Sequence, residues 1–151
     1  MPVVFREPNK FGDFNWMIQQ PEYDDVLFLF NDNEEQFFDF RDYRRPGGIN
    51  MRERACSRGK DNAIIRPYQC QDPQRAVGIP TGNNKGGYRD EKDKRIIDVA
   101  FNYVRSLLDT GRYRRVAYSA GLDGRSLGTQ IFSPSPEIKE YIVQQIEGLV
   151  D

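Results

Sequence analysis

A chain of 151 residues fits one folded domain, residues 1–151, able to bury about 70% of the surface its unfolded form exposes. With 22 Lys and Arg against 23 Asp and Glu, the net charge of -1 argues against a general binder of duplex nucleic acid or of membrane surfaces. The absence of histidine removes Ser-His-Asp and Cys-His nucleophilic machinery and the commonest transition-metal ligand, so neither a metal site nor a cofactor is expected.

The aromatic fraction of 13% is high beside a hydrophobic fraction of 38%, and a surplus of rings over what one small core hides predicts a homo-oligomer. Cys56 and Cys70 are too few for a zinc cage and lack CxxC spacing. They are expected to be reduced thiols, at least partly buried, in a cytoplasmic protein. No signal peptide is read at the N-terminus, and no apolar run approaches the roughly 18 residues of a membrane span.

In chain order, Val3-Val4-Phe5 is a short strand before an irregular Pro, Asn and Gly segment. Phe11, Phe14 and Trp16 follow, either as a lid over the core or as a platform for stacking a base. Val26-Leu27-Phe28-Leu29-Phe30 has the continuous apolar character of a strand buried on both faces, which places it at the centre of a helix-covered sheet. It ends in Asn31, Asp32 and Asn33, short polar side chains at the strand end where open α/β sheets bind ligands.

Asn33 is placed to cap a helix that begins at Glu34 and stops before Pro46. Gly47 and Gly48 then lead into a second short helix, Asn50 to Cys56, closed by Gly59. A diglycine before a helix is either a plain turn or a place where backbone N–H groups approach a phosphate. Charge changes sign here. Seven acidic and no basic residues lie between Glu22 and Asp39, whereas Arg41 to Arg66 holds eight basic residues against three acidic ones, a local excess of +5. This is either a solvated face or an anion-binding surface that uses Arg52 and Arg54.

Ala63 to Arg66 reads as a strand stopped by Pro67, and Ala76 to Ile79 as another stopped by Pro80. Thr81 to Gly87 reads as a long flexible loop, connective or wrapped around a ligand. Ile96, Ile97, Ala100, Phe101, Val104, Leu107 and Leu108 follow helical spacing over Asp90–Leu108, with Gly111 as terminator. A strand Arg115–Ser119, a loop with an Asp-Gly turn and an antiparallel partner Leu127–Phe132 come next. Ser119, Ser126 and Thr129 are candidates to bond ribose or phosphate. Ser135 and Pro136 start the last helix, with Ile138, Tyr141, Ile142, Ile146 and Leu149 on one face. Strands alternating with helices predict an α/β fold, a three-layer sandwich with a mixed, mostly parallel sheet.

Three segments in order, Leu27-Phe28-Leu29-Phe30-Asn31-Asp32-Asn33, Gly47-Gly48-Ile49-Asn50 and Gly78-Ile79-Pro80-Thr81-Gly82, resemble the small phage-associated macro-domain-like proteins. The resemblance spans roughly residues 26 to 132. It implies a nucleotide-type pocket with Asn31, Asp32 and Asn33 on one wall, Gly47, Gly48 and Asn50 at a phosphate-like group, Thr81 and Gly82 opposite, and Ser119 to Thr129 closing it. It also implies sequestration of a cyclic dinucleotide or ADP-ribose derivative without turnover, in the manner of a phage anti-defence sponge, in the host cytoplasm. Arg52 and Arg54 would meet phosphates, and Tyr88 or Trp16 would stack on bases. The alternative is an ADP-ribose-type hydrolase, with Asp32 as base and Asn31 or Asn50 positioning water.

Overall fold

The computed structural model describes the backbone of residues 3–8 and residues 14–121, 123, 125–129 and 132–149. Phe11, Gly124, Gln130 and Ile131, expected in an aromatic cluster, a turn and a strand, lie outside the described residues. Five strands are β1 (Val3–Pro8), β2 (Val26–Asn33), β3 (Ala76–Asn83), β4 (Gly86–Gly87) and β5 (Arg115–Ala120). The α-helices are α1 (Phe14–Met17), α2 (Glu34–Tyr43), α3 (Arg52–Ala55), α4 (Glu91–Leu108) and α5 (Pro136–Glu147). Three 3-10 helices cover Pro21–Tyr23, Gly48–Met51 and Asp61–Cys70.

The sheet order is β1-β5-β2-β3-β4, with β2 in the middle as its apolar run predicts. β1, β5, β2 and β3 are mutually parallel, and the two-residue β4 pairs antiparallel with the end of β3, so the fold is α/β with a mixed, mostly parallel sheet. The pleat divides the side chains of β2 between two cores. Leu27 and Leu29 join Val77, Ile79, Val116 and Tyr118 beneath α4 and α5, which contribute Ile97, Ala100, Phe101, Val104, Ile138, Ile142 and Ile146. Val26, Phe28 and Phe30 point the other way, onto Phe14, Met17, Ala63 and Ile65. Burial on both faces is why β2 carries no polar residue before its carboxyl end.

Helix termini follow the sequence signals. The Asn33 side chain accepts the Gln36 N–H at 2.8 Å, and Ser135 accepts that of Ile138 at 3.2 Å. At the start of α4 the Asp93 carboxylate accepts the Asp90 N–H at 2.9 Å.

Five expectations are corrected. Ala63 to Arg66 is part of the 3-10 helix Asp61–Cys70, not a strand. Its polar-containing buried set includes Ala63, Arg66 and Gln69, the repeat of three that a 3-10 helix presents to one side. β3 does not stop at Pro80 but continues to Asn83. Strand β4 pairs only with Gly82 and Asn83, so at Pro80 one edge of β3 is unpaired and a residue without an N–H is tolerated. The expected loop Thr81–Gly87 is consequently a hairpin, with Lys85 N–H donating to Asn83 Oδ1 at 2.9 Å in its turn. The expected antiparallel strand Leu127–Phe132 is reduced, among described residues, to one bridge between Ala120 and Leu127.

The fifth correction concerns the cysteines. Cys56 and Cys70 are joined in a disulfide, with Cα atoms 6.0 Å apart. Cys56 follows α3 and Cys70 ends the following 3-10 helix, whose packing on the second core brings both ends of the intervening segment together. Among the described residues no helix is long and apolar enough to cross a membrane.

Candidate functional site

The carboxyl ends of three parallel strands meet at one cavity of about 970 Å³. β2 supplies Asn31, Asp32 and Asn33, β3 supplies Thr81, and β5 supplies Ser119 and Ala120. Such a position outside the strand ends is where open α/β sheets take ligands, and the volume lies at the upper end of the roughly 300–1,000 Å³ of small-molecule sites. One wall is the segment Ser57 to Ile64 with Arg66, running from the end of α3 into the 3-10 helix. The opposite wall is Gly121, Gly128, Thr129 and Phe132.

The polar floor is tightly organised. Asn31 Nδ2 donates to Gly128 O at 2.7 Å, tying the end of β2 to the opposite wall. The register of β2 and β3 shifts between Asp32 and Asn33, which leaves Thr81 as the extra residue of the bulge. Its hydroxyl lies 3.4 Å from Asp32 O. Gly128 is close to β5: a Cβ there would sit 3.1 Å from Ala120 O.

Asp32 is 4% exposed and is gripped by Arg66, itself 4% exposed. Arg66 Nη2 donates to Oδ1 at 2.6 Å and Nε to Oδ2 at 3.3 Å, while Asn33 N–H donates to Oδ1 at 2.8 Å. Burial raises the Asp32 carboxyl above the ordinary carboxylate range, and the Arg66 guanidinium and Asn33 N–H oppose that rise. Gly78 is required beside it, since a Cβ there would lie 2.6 Å from Asp32 Oδ2. The third Arg66 donor reaches Ser57 O at 3.0 Å, so the same side chain anchors the basic wall to β2.

Six of the residues expected at a site are brought together here: Asn31, Asp32, Asn33, Thr81, Ser119 and Thr129. The others lie elsewhere. Gly47, in the left-handed conformation with φ 79°, and Gly48 form the turn that leaves α2. A Cβ on Gly48 would be 2.2 Å from Asp42 O, so this glycine serves close backbone packing. Asn50 is exposed outside the cavity. Arg52 donates to the Tyr43 hydroxyl at 2.8 Å, and Arg54 pairs with Asp39 at 3.5 Å. Tyr88 is 2% exposed, in the core under α4, with its hydroxyl donating to Glu34 at 2.7 Å, so its ring offers no face to a base. Gly82 does not line the cavity but makes room for it: a Cβ would meet the Phe132 ring at 2.6 Å.

Besides the buried Arg66, the cations of the site are Arg58 and Lys60, both exposed on its wall. Neither makes an ion pair or side-chain hydrogen bond with a described residue. The adjoining Asp61 has φ 52°, a left-handed backbone that short polar residues tolerate. These residues lay within the basic stretch noted in the sequence. The signal that marks them is the run Arg58-Gly59-Lys60-Asp61-Asn62, and reading Ala63–Arg66 as a strand placed that run in a connection instead of a wall.

No family model, no curated protein and no solved structure matches this chain, so what the site does is argued from its geometry.

Proposed function

We propose that the chain binds and sequesters a nucleotide second messenger, a cyclic dinucleotide or ADP-ribose derivative, without turning it over. The observation that carries this reading is the make-up of the cavity: neutral hydrogen-bonding groups on the strand ends, an aromatic ring at Phe132, and, on the facing wall, two cations without an ion-pair partner among the described residues, Arg58 and Lys60, against the single carboxylate of Asp61. Phosphate groups meet the cations, hydroxyls and base edges meet Asn31, Ser119 and Thr129, and Phe132 offers a face to a base. The one carboxylate on the cavity floor, Asp32, is neutralised by Arg66, so the floor does not repel an anion.

The same engagement weighs against the hydrolase alternative. A general base must present a free carboxylate oxygen to water, and both oxygens of Asp32 are held by Arg66. Asn50 lies away from the cavity.

The proposal includes a macro-domain-like three-layer arrangement, supported by hydrophobic clusters on both faces of the sheet, and a phage anti-defence role of the sponge type. It also includes a homo-oligomer, with Ile49 and Val99 among the large apolar side chains exposed in the described residues. Light scattering at micromolar concentration tests that part, and the mass of a single chain would end it.

The function is tested by a thermal-shift panel of ADP-ribose and cyclic dinucleotides, followed by heat release and chromatography of whatever binds. Recovery of intact nucleotide is the expected result. Recovery of a cleaved product would replace sequestration with hydrolysis, and no shift with any nucleotide would end the reading.

A further inference from the structure

Cys56 and Cys70 bracket the basic wall of the cavity, 14 positions apart in sequence. Everything that this part of the chain contributes to the cavity, Ser57 to Ile64 and Arg66, lies between the two cysteines. The wall that carries both of these cations is therefore a loop whose ends are joined covalently at one point.

Its remaining attachments are unevenly spread. The later half is fixed by burial of Ala63 and Ile65 in the second core, by Arg66 on Asp32, and by Gln69 Nε2 donating to Ala55 O at 2.8 Å beside the disulfide. The earlier half, which bears Arg58 and Lys60, is exposed at Ser57, Arg58, Lys60 and Asp61. It is held by three local bonds: Arg66 to Ser57 O, Gly59 N–H to Ala63 O, and Ala63 N–H to Lys60 O, each 3.0 Å. Loss of the covalent tie thus falls on the cations and spares the buried half. Both cysteines are only half-buried.

We propose that the Cys56–Cys70 disulfide is a redox control on this cavity: closed, it holds the Ser57–Asn62 wall in place for an anionic ligand, and opened, it releases that wall while the sheet stays folded. The reductant is a dithiol. One of its thiolates attacks the sulfur of one cysteine, and the other cysteine leaves as a thiolate and takes up a proton. The second thiol of the reductant then resolves the mixed disulfide. Two electrons and two protons pass to the protein, which ends with two thiols while the reductant ends as a disulfide.

The effect on affinity rests on the nucleotide reading of the cavity, whereas release of the wall does not, so two measurements separate them. Hydrogen exchange is followed by mass spectrometry on the full chain without ligand, oxidised and after dithiothreitol. Within 57–62 the Gly59 amide, which is hydrogen-bonded to Ala63 O, should exchange about tenfold faster or more on reduction while the amides of β2 and α4 keep their rates. Calorimetric titration of ADP-ribose should give a Kd about tenfold or more higher for the reduced protein. Cys70→Ser should reproduce both changes with no reductant present. Unchanged exchange at Gly59 would overturn the proposal, as would loss of protection across the whole chain, which would make the disulfide a general staple. Equal affinity in the two redox states would also overturn it. ADP-ribose binding to neither form, with faster exchange at Gly59, would support release of the wall and overturn only the choice of ligand.

Discussion

Arg66 and Asp32 form a buried ion pair that joins two elements distant in sequence, with Nη2 2.6 Å from Oδ1 and side-chain exposures of 5% and 1%. The pair fixes the 3-10 helix Asp61–Cys70 to the carboxyl end of β2, and with it the angle between the basic wall and the polar floor. Removing one partner strands the other in a low-dielectric site. Arg66→Met is expected to cost about 3–5 kcal/mol in urea unfolding, more than the net value of the pair, because Asp32 is left unpaired. The double variant Asp32→Leu with Arg66→Met should recover a large part of that loss. A single-variant cost below about 1 kcal/mol would show that the pair does not hold the wall.

Charge reversal separates the cavity cations from those the sequence favoured. Arg58→Glu and Lys60→Glu should each weaken nucleotide binding by about 1–3 kcal/mol, since a charge-assisted hydrogen bond becomes repulsion. Arg52→Glu and Arg54→Glu should leave affinity unchanged, as these side chains are turned to Tyr43 and Asp39. Calorimetric titration of the four variants against one nucleotide decides the matter. Equal losses in all four would return the site to the Gly47–Arg54 turn.

The core prediction concerns β2. Phe28 and Phe30 are 0% and 1% exposed, and the Phe28 ring meets that of Phe14 edge-on at 5.1 Å between centroids. Phe28→Ala and Phe30→Ala should each cost about 3–5 kcal/mol in chemical denaturation. A loss under about 1.5 kcal/mol for either would mean that the second core is loosely packed.

What the sequence disclosed follows the physics of each element. The run Val26–Phe30 is apolar at successive positions because both faces are covered, and that pattern has no surface alternative, so β2 and its ligand-facing end were legible. Strong helical spacing and a buried stripe made α4 equally so. The segment Ser57–Cys70 was not legible. Its run of three consecutive apolar residues, Ala63, Ile64 and Ile65, is too short to distinguish a strand from a 3-10 turn, and what shapes it is tertiary: the Arg66–Asp32 pair and the disulfide. Local composition likewise ranked Gly47-Gly48 above Gly59, since a diglycine has the same sequence signature whether it closes a helix or approaches a ligand.

The loop that forms the wall opposite the cations should loosen in acid, and Asp123 reports it. Its Oδ1 accepts the N–H groups of Arg125 and Ser126 at 3.0 and 2.8 Å, and its Oδ2 accepts the Ser126 hydroxyl. These donors favour the ionised form and hold the carboxyl down to about 2, from an ordinary 3.8. A carboxyl depressed by folding contributes stability that is fully present above its unfolded value and is lost as pH falls through its folded one, so the contribution disappears between about pH 4 and pH 2. In the same region Arg125 is paired with Glu140 and Glu147 on α5, each at 2.9 Å, and holds the Glu140 carboxyl below its ordinary value, so protonation there acts in the same direction. The loop returns to the cavity through Gly121 N–H to Ser126 O at 2.7 Å and Gly128 N–H to Ser119 O at 2.9 Å, which set the position of Thr129. A carbon-detected NMR titration should place the Asp123 midpoint near 2, and Ser126→Ala should move it up toward 3.8 by removing the hydroxyl donor. A wild-type midpoint already at 3.8 would mean that the turn is not formed in solution, and with it the arrangement of Gly128 and Thr129 against Asn31.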